Sequence, residues 1–161
     1  MRIRVEKRGI RALGIAESFR IGFGQRSVLA GIVMRSDLIV DGFTFGSATI
    51  GGDDATDVII EMFEGLKRND INVVILGGVV ISLYNIIDVD AVALRTQIPV
   101  ISVTFKESNG LEPHIKHHFP DSWRSKMDAY QRLGGREKVK LKTGYEVFIR
   151  ASGITSDEAQ R

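Results

Sequence analysis

The sequence predicts a single α/β domain built on a mixed sheet, and three observations support this fold class. Residues 73–76 are apolar throughout and residues 100–103 are apolar except for Ser102, which is typical of strands that are buried on both faces of a sheet. A helical pattern at residues 88–96 separates them, so the three segments form a βαβ unit. Earlier in the chain, residues 27–35 and 38–49 are strand-like with a polar turn between them, which indicates an antiparallel hairpin.

The first strand is predicted at residues 13–16, a short apolar run that ends at Glu17. The clearest helix of the sequence follows the hairpin, because apolar residues recur at helical spacing from Ala55 to Leu66. Asp54 precedes this helix and is its natural N-cap. The helix therefore has one apolar face that can pack on the sheet.

The C-terminal third contains an amphipathic helix, predicted at residues 121–133, and a last strand, predicted at residues 145–151. A capping-box pattern at residues 155–158 opens another helix, which we expect to be truncated because the chain ends three residues later. This order of elements is that of the ribonuclease H-like fold, with a five-stranded mixed sheet ordered 3-2-1-4-5, helices on both faces and a C-terminal extension. The early hairpin argues against a doubly wound nucleotide-binding sheet. We expect one such domain over residues 1–161.

Composition excludes several classes of protein. The chain has no cysteine, which removes disulfides, thiolate zinc sites and thiol nucleophiles. No apolar run approaches the roughly 20 residues that cross a bilayer, and the basic N-terminus lacks the apolar segment of a signal peptide. The sequence also contains no GxxxxGK[ST], GxGxxG or GxSxG motif. We therefore expect a cytoplasmic protein without a membrane partner, and a homodimer is one assembly that the sequence leaves open.

The net charge of +2 is small, but the charges are unevenly distributed. Basic residues crowd the first eleven positions and the C-terminal third, while acidic residues concentrate between Glu17 and Asp90. This asymmetry is typical of a protein whose two ends contact a phosphate backbone, and solvated surface charge is the alternative interpretation. The basic residues are Arg2, Arg4, Lys7, Arg8 and Arg11, and then Arg124, Lys126, Arg132, Arg136, Lys138, Lys140, Lys142 and Arg150.

Four segments, LGIAESF, GGDDATDVIIEM, VILGGVVISLYNIIDV and FIRASGITSDEAQR, together resemble an uncharacterised, mainly archaeal family that is similar to endonuclease V. The resemblance covers roughly residues 11–161. It implies a ribonuclease H-like fold and a metal-dependent endonuclease, a phosphodiester hydrolase that uses Mg²⁺ or Mn²⁺ to cut DNA or RNA near deaminated purines. Such ions need oxygen ligands, and they activate a water and neutralise charge on the transferring phosphoryl group.

The resemblance places the strand-one aspartate of endonuclease V at Ala16, beside Glu17, and the strand-four aspartate at Gly77. The carboxylate near the first long helix has counterparts in Asp53, Asp54 and Asp57. We therefore expect a reduced metal site with Glu17, Asp54 and Asp57 as ligands, in which Glu17 and Asp54 are catalytic. Successive strand residues point to opposite faces, so Glu17 can replace the residue at Ala16 only if the strand end is twisted or bulged. Helix capping is the structural alternative for Asp54.

Substrate binding is predicted for Gly77, Gly78, Asn85 and Asp88, because ligands collect at the carboxyl ends of parallel strands. The two glycines allow a close approach of ligand, and a plain turn is the alternative. Asp88 has the alternative role of N-cap to the following helix. A cluster of three histidines consists of His114, His117 and His118. Prolines bracket this segment and the glutamate of an HExxH motif is missing, so a surface or nucleic-acid contact is predicted rather than a zinc site.

Three functions follow from these observations. The leading hypothesis is an endonuclease V-like nuclease with a partly depleted set of carboxylates. The alternative, suggested by Ala16 and Gly77, is a non-catalytic nucleic-acid-binding or scaffold protein that retains the nuclease fold. A small-molecule-binding α/β domain is the third, and it requires a closed apolar pocket near Gly77.

Overall fold

The computed structural model of the protein describes residue 7 and residues 9–161. Of the N-terminal basic group, Arg2, Arg4 and Arg8 lie outside the described residues. The strands are β1 (Arg11–Ser18), β2 (Arg26–Arg35), β3 (Val40–Thr49), β4 (Val73–Leu76), β5 (Val80–Ile81), β6 (Asn85–Ile86), β7 (Val100–Thr104), β8 (Glu137–Lys140) and β9 (Glu146–Ser152). The helices are α1 (Ala55–Gly65), α2 (Val89–Thr96), α3 (Glu112–His118), α4 (Trp123–Arg132) and α5 (Ser156–Ala159).

The described chain forms a seven-stranded sheet ordered β3-β2-β1-β4-β7-β9-β8 and a separate hairpin of β5 and β6. The predicted order 3-2-1-4-5 is confirmed by the first five of these strands, in which β1, β4 and β7 run parallel. The prediction of five strands was wrong, because within the described residues β9 pairs antiparallel with β7 and β8 pairs with β9. Val139, Val147 and Ile149 of these added strands are buried, and this burial favours their pairing with the sheet.

Helices α1 and α2 cover one face of the sheet. Leu13, Leu29 and Val33 are fully buried beneath them. Helix α1 approaches β3 so closely that a Cβ added at Gly46 would lie 2.7 Å from the sulfur of Met62. A glycine inside a strand is typical of such a close approach, and Gly46 leaves room for the side chain of Met62.

The opposite face carries a second apolar cluster. Val73 and Ile101 are buried in it, and Ala159 of the short helix α5 packs against it. A capping box at Thr155 starts α5, as its sequence pattern predicts. Helices therefore lie on both faces of the sheet, with α5 as a single turn.

The predicted helices begin within two residues of their expected starts, and α4 begins at Trp123 where residue 121 was predicted. Helix α1 starts at Ala55, and α2 follows Asp88, whose carboxylate accepts the N–H groups of Asp90 and Ala91 at 3.0 Å. Helix α3 and the β5–β6 hairpin were not predicted, because both are too short to show a clear hydrophobic period. In the part of the chain that the structure describes, every helix is too short or too polar to cross a membrane.

An ion-pair network joins the start of β3 to the chain between α1 and β4. Arg68 contacts Asp41 at 3.1 Å and Asp70 at 2.8 Å, and Arg11 contacts Asp41 at 2.8 Å. The hydrogen bonds from Arg68 are the main cause that holds the pKa of Asp70 at about 2. The network lies at the edge of the sheet where β1 begins, away from the carboxyl ends of the parallel strands.

Candidate functional site

Glu17 lies near the end of β1, at the carboxyl edge of the sheet. The pairing of β1 with β2 is unbroken from Arg11 to Ser18, so the strand is neither bulged nor shifted at this point. Glu17 therefore lies on the sheet face of Leu13 and Ile15, and Ala16 lies on the other face. The strand therefore has no bulge at Glu17, which is one of the two conditions under which Glu17 could replace a carboxylate at Ala16, and the catalytic and metal-binding roles of Glu17 stay predictions. Its carboxylate instead accepts a long hydrogen bond of 3.4 Å from the hydroxyl of Ser82.

Asp54 occupies the N-cap position of α1, but its carboxylate turns away from the helix. It accepts the N–H of Thr49 at 3.0 Å, the hydroxyl of Thr49 at 2.8 Å and the side-chain amide of Asn85 at 2.8 Å. The guanidinium of Arg26 lies 3.8 Å away. Partial burial raises the pKa of Asp54, but the hydrogen bonds from Thr49 and Asn85 outweigh burial and hold this pKa below its ordinary value. Asp54 is therefore an anion held by three donor groups of the protein.

Asn85 is fully buried and connects three elements. Its Oδ1 accepts the N–H of Ala55 at 3.0 Å, which supplies the helix cap that Asp54 does not provide. Its Nδ2 donates to the carbonyl of Thr49 at 2.9 Å and to Asp54. These bonds use the amide inside the protein and give Asn85 a structural role, whereas its substrate-binding role stays a prediction.

The turn between β5 and β6 has an unusual backbone. Ser82, Leu83 and Tyr84 all have left-handed φ angles, of 46°, 58° and 61°. Non-glycine residues adopt this region only at a cost, so the surrounding contacts must hold the turn in place. Ser82 is fully buried, its hydroxyl lies 2.6 Å from that of Ser27, and its carbonyl accepts the N–H of Gly51 at 2.7 Å.

Lys126 of α4 holds the other end of the turn. Its side chain is 5% exposed, and its ammonium donates to the carbonyls of Gly52 and Tyr84 at 2.9 and 3.0 Å and to Asp53 at 3.0 Å. The ring of Phe119 lies 4.6 Å from the same nitrogen. From the sequence, Lys126 was grouped with cations that contact a phosphate backbone. The structure instead buries it where α4, the start of α1 and the turn meet, and we call this set of contacts the Lys126 bracket.

Asp57 and Asp88 are positioned by α1 and α2. Asp57 is exposed on α1 and lines a groove towards α2 together with Glu61 and Arg95. Asp88 caps α2, which is the structural role predicted as its alternative. Across residues 7 and 9–161, no group of three or more His, Cys, Asp or Glu side chains is placed to hold a metal ion.

Gly77 and Gly78 follow β4 and lie at the rim of a cavity of about 190 Å³. Gly78 has a φ of 104°, which favours glycine, and an added Cβ there would touch Thr104 at 3.4 Å. Arg136 and Arg150 also line this cavity. It is therefore not the closed apolar pocket that a small-molecule-binding domain requires.

Comparison with known proteins assigns the chain to a family. The family model described as endonuclease dU matches residues 8–161. The chain belongs to the endonuclease dU family. A curated relative, the UPF0215 protein of Pyrobaculum calidifontis, is 38% identical over 150 residues, which cover 92% of this chain and 81% of the relative.

Solved structures agree with the fold of this endonuclease dU family member. A protein of unknown function from Archaeoglobus fulgidus is similar with a TM-score of 0.76 and 25% identity, over 94% of this chain and 83% of that protein. Human endonuclease V is similar with a TM-score of 0.56 and 14% identity, over 94% of this chain and 73% of the human chain. The second similarity shows the fold alone, and it confirms the predicted likeness to endonuclease V.

The endonuclease dU family member presents its three histidines on α3. His114, His117 and His118 are exposed, and the ring of His118 lies 5.6 Å from that of Tyr84. The cluster therefore extends the aromatic surface beside the left-handed turn. Its contact with nucleic acid stays a prediction.

Sequence reasoning missed Ser82, Lys126 and Arg150 as members of this region. A buried lysine has no local signal, because its partners come from distant parts of the chain. Arg150 carries a signal that could have been found, since it stands between apolar residues in an alternating strand.

Proposed function

We propose that this protein is an endonuclease that acts on nucleic acid, with deoxyuridine-containing DNA as the first substrate to test. The observation that carries the proposal is the match of the endonuclease dU family to residues 8–161. The endonuclease V-like fold supports the same reaction class. The name of the family favours a deaminated base as the feature that selects the cleavage position.

A divalent ion, Mg²⁺ or Mn²⁺, is the cofactor that this reaction class implies. The described residues do not fit a site of three protein carboxylates. Asp54 is held by Thr49 and Asn85, Glu17 lies on the face opposite Ala16, and Asp57 is exposed on α1. We therefore derive no catalytic step through a metal from these residues.

A cleavage assay tests the proposal directly. The substrates are single- and double-stranded DNA with one deoxyuridine or deoxyinosine, RNA with one inosine, and the undamaged strands, each with Mg²⁺, Mn²⁺ or EDTA. We expect cleavage beside the deaminated base by the unaltered protein. The EDTA reactions show whether cleavage needs a divalent ion, and Asp54→Asn shows whether the carboxylate of Asp54 takes part. Asp157→Asn, which changes an exposed carboxylate on α5, is the matched control and should leave the rate unchanged.

Two further measurements are needed to interpret the assay. The melting temperature of Asp54→Asn must be measured, because Asp54 also accepts hydrogen bonds from Thr49 and Asn85. Absence of cleavage by the unaltered protein on every substrate and with both ions would remove the enzymatic function.

A non-catalytic nucleic-acid-binding protein is the second candidate, and Ala16 and Gly77 favour it. Neither residue has a carboxylate, although both stand where the resemblance to endonuclease V places one. This function predicts binding that weakens steeply with salt and does not change on adding divalent ions. Fluorescence anisotropy with a labelled strand, measured across salt concentrations with and without Mg²⁺, distinguishes the two candidates.

A further inference from the structure

The cavity beside Gly77 and Gly78 carries positive charge without a compensating acid. In the described chain its lining contains no carboxylate. Its volume of about 190 Å³ is below the ~300–1,000 Å³ of pockets for drug-sized ligands and several times the ~30 Å³ that one water occupies in the liquid. The space suits a small anion with a few waters. The polar side chains that line it are Thr104, Ser108, Tyr130, Arg136 and Arg150.

Arg150 is the unusual member of this lining. It lies in β9 and is only 8% exposed, yet no carboxylate of the described chain pairs with it. Its Nε donates to the carbonyl of Gly134 at 3.1 Å, and its guanidinium stacks on Tyr130 at 5.1 Å from the ring centre. An arginine has five N–H donors, and in the described part of the chain the bond to Gly134 is the one hydrogen bond that the side chain of Arg150 makes. Its terminal nitrogens are not among the buried side-chain atoms that lack a partner, so they are open to the cavity and can bind a ligand that enters it.

Arg136 faces the same cavity from the start of β8. The register of β8 with β9 begins with Glu137 opposite Ile149, so Arg136 immediately precedes the first pair of β8 and Arg150 immediately follows it in β9. Two cations that line one cavity repel each other, and an anion between them removes this repulsion. One terminal nitrogen of Arg136 donates to the hydroxyl of Thr104 at 2.9 Å and to the carbonyl of Lys106 at 2.8 Å. Within the described residues, its other N–H groups make no hydrogen bond to the protein.

We propose that this cavity binds a phosphate group between the guanidiniums of Arg136 and Arg150. The planar fork of an arginine matches two oxygens of a phosphate, and two such forks neutralise its charge. Each guanidinium is already positioned by an aromatic ring, Tyr130 for Arg150 and Phe148 for Arg136 at 4.9 Å. Little side-chain freedom is therefore lost when the anion binds.

The phosphate can come from free inorganic phosphate or from a nucleic-acid strand, and both sources share the chemistry that the cavity recognises. The site does not depend on cleavage. Failure of the nuclease assay leaves it standing, and its own failure leaves the proposed nuclease untouched.

Calorimetric titration without divalent ions tests the site. The probes are inorganic phosphate, a short single strand with a 5′-phosphate, and the same strand without it. We expect saturable binding of phosphate or of the phosphorylated strand, weakened by about tenfold or more in Arg136→Gln. Arg150→Lys keeps the charge but loses the fork, so it should weaken binding less than Arg150→Gln. Arg124→Gln, an exposed arginine on α4 outside the cavity lining, is the control and should bind as the unaltered protein does.

The outcomes decide both the site and the source. Binding of inorganic phosphate that is lost in Arg136→Gln supports a free-anion site. Preference for the phosphorylated strand that is lost in Arg136→Gln supports a site for a strand end. Arg136 is half-buried, so this variant remains informative if Arg150→Gln does not fold. Equal binding of both strands together with no binding of phosphate, or unchanged affinities in a folded Arg136→Gln protein, overturns the proposal.

Discussion

Replacement of Asn85 by alanine should destabilise the protein strongly, because this side chain joins β3, α1 and the β5–β6 hairpin. The substitution leaves the N–H of Ala55 buried without a partner, and it removes one donor from Asp54 and one from the carbonyl of Thr49, which keeps the N–H of Gly52 at 3.0 Å. The unpaired N–H costs ~1–3 kcal/mol, and each of the two other lost hydrogen bonds costs ~0.5–1.5 kcal/mol. We therefore expect the free energy of unfolding to fall by about 3 kcal/mol, a large share of the ~5–15 kcal/mol typical of a domain.

Urea unfolding followed by circular dichroism measures this loss. The midpoint should fall while the slope with urea stays constant, since the surface exposed on unfolding is nearly the same. Asn109→Ala, an exposed asparagine in the loop after β7, is the matched control and should change the free energy by less than ~0.5 kcal/mol. A loss below ~1 kcal/mol for Asn85→Ala would refute the structural role. If Asn85→Ala were that stable and bound nucleic acid more weakly than the unaltered protein, the predicted substrate-binding role of Asn85 would replace the structural role.

Three further predictions concern the Lys126 bracket, the packing of α1 and the ion network. Lys126→Met should lower the free energy of unfolding by about 2 kcal/mol in urea titrations, because the three acceptors of its ammonium lose their donor. Lys142→Met, at an exposed position, is the control and should have little effect. Equal losses of stability in the two variants would contradict the structural role of Lys126. Gly46→Ala should cost ~1–3 kcal/mol by overpacking against α1, and Gly14→Ala, where an added Cβ meets open space, should be near neutral by the same titration. The pKa of Asp70, about 2, is below its unfolded value of ~3.9, so its contribution to stability is complete above pH ~4 and is lost as pH falls towards 2. Urea midpoints measured from pH 5 to 2 should therefore fall less steeply in Asp70→Asn than in the unaltered protein.

The central fold could be predicted because its signals are local and strong. The apolar strand at residues 73–76 and the helical period after Ala55 each specify their element without help from distant residues. The order of the first five strands then follows from the hairpin and the βαβ unit. Strand β8 escaped prediction because its sequence, EKVK, carries one apolar residue, Val139, which becomes buried only when β9 has paired with β7.

The candidate site was harder to predict because its contacts join residues far apart in the chain. Asp54 could be placed at the start of α1, but the direction of its carboxylate depends on Thr49 and Asn85. A sequence pattern can identify a cap position, and it cannot show that an asparagine thirty residues later makes the cap bond. The three consecutive left-handed residues from Ser82 to Tyr84 could not be predicted from the sequence either, since none of them is the glycine that usually indicates such a backbone.

The carboxyl edge of the sheet separates its charges in space, and this separation makes the cavity beside β9 more favourable for a phosphate than for a cation. On the side of α1, Asp54 is anionic, but Thr49 and Asn85 already use its oxygens and Arg26 offsets its charge. On the side of β9, Arg136 and Arg150 face a cavity with no acid in the described lining. A cation approaching that cavity is repelled, whereas a phosphate is attracted at every step. Because Gly77 lies on the cavity rim, where the resemblance to endonuclease V places an aspartate, the same position now lets an anion come close to the backbone.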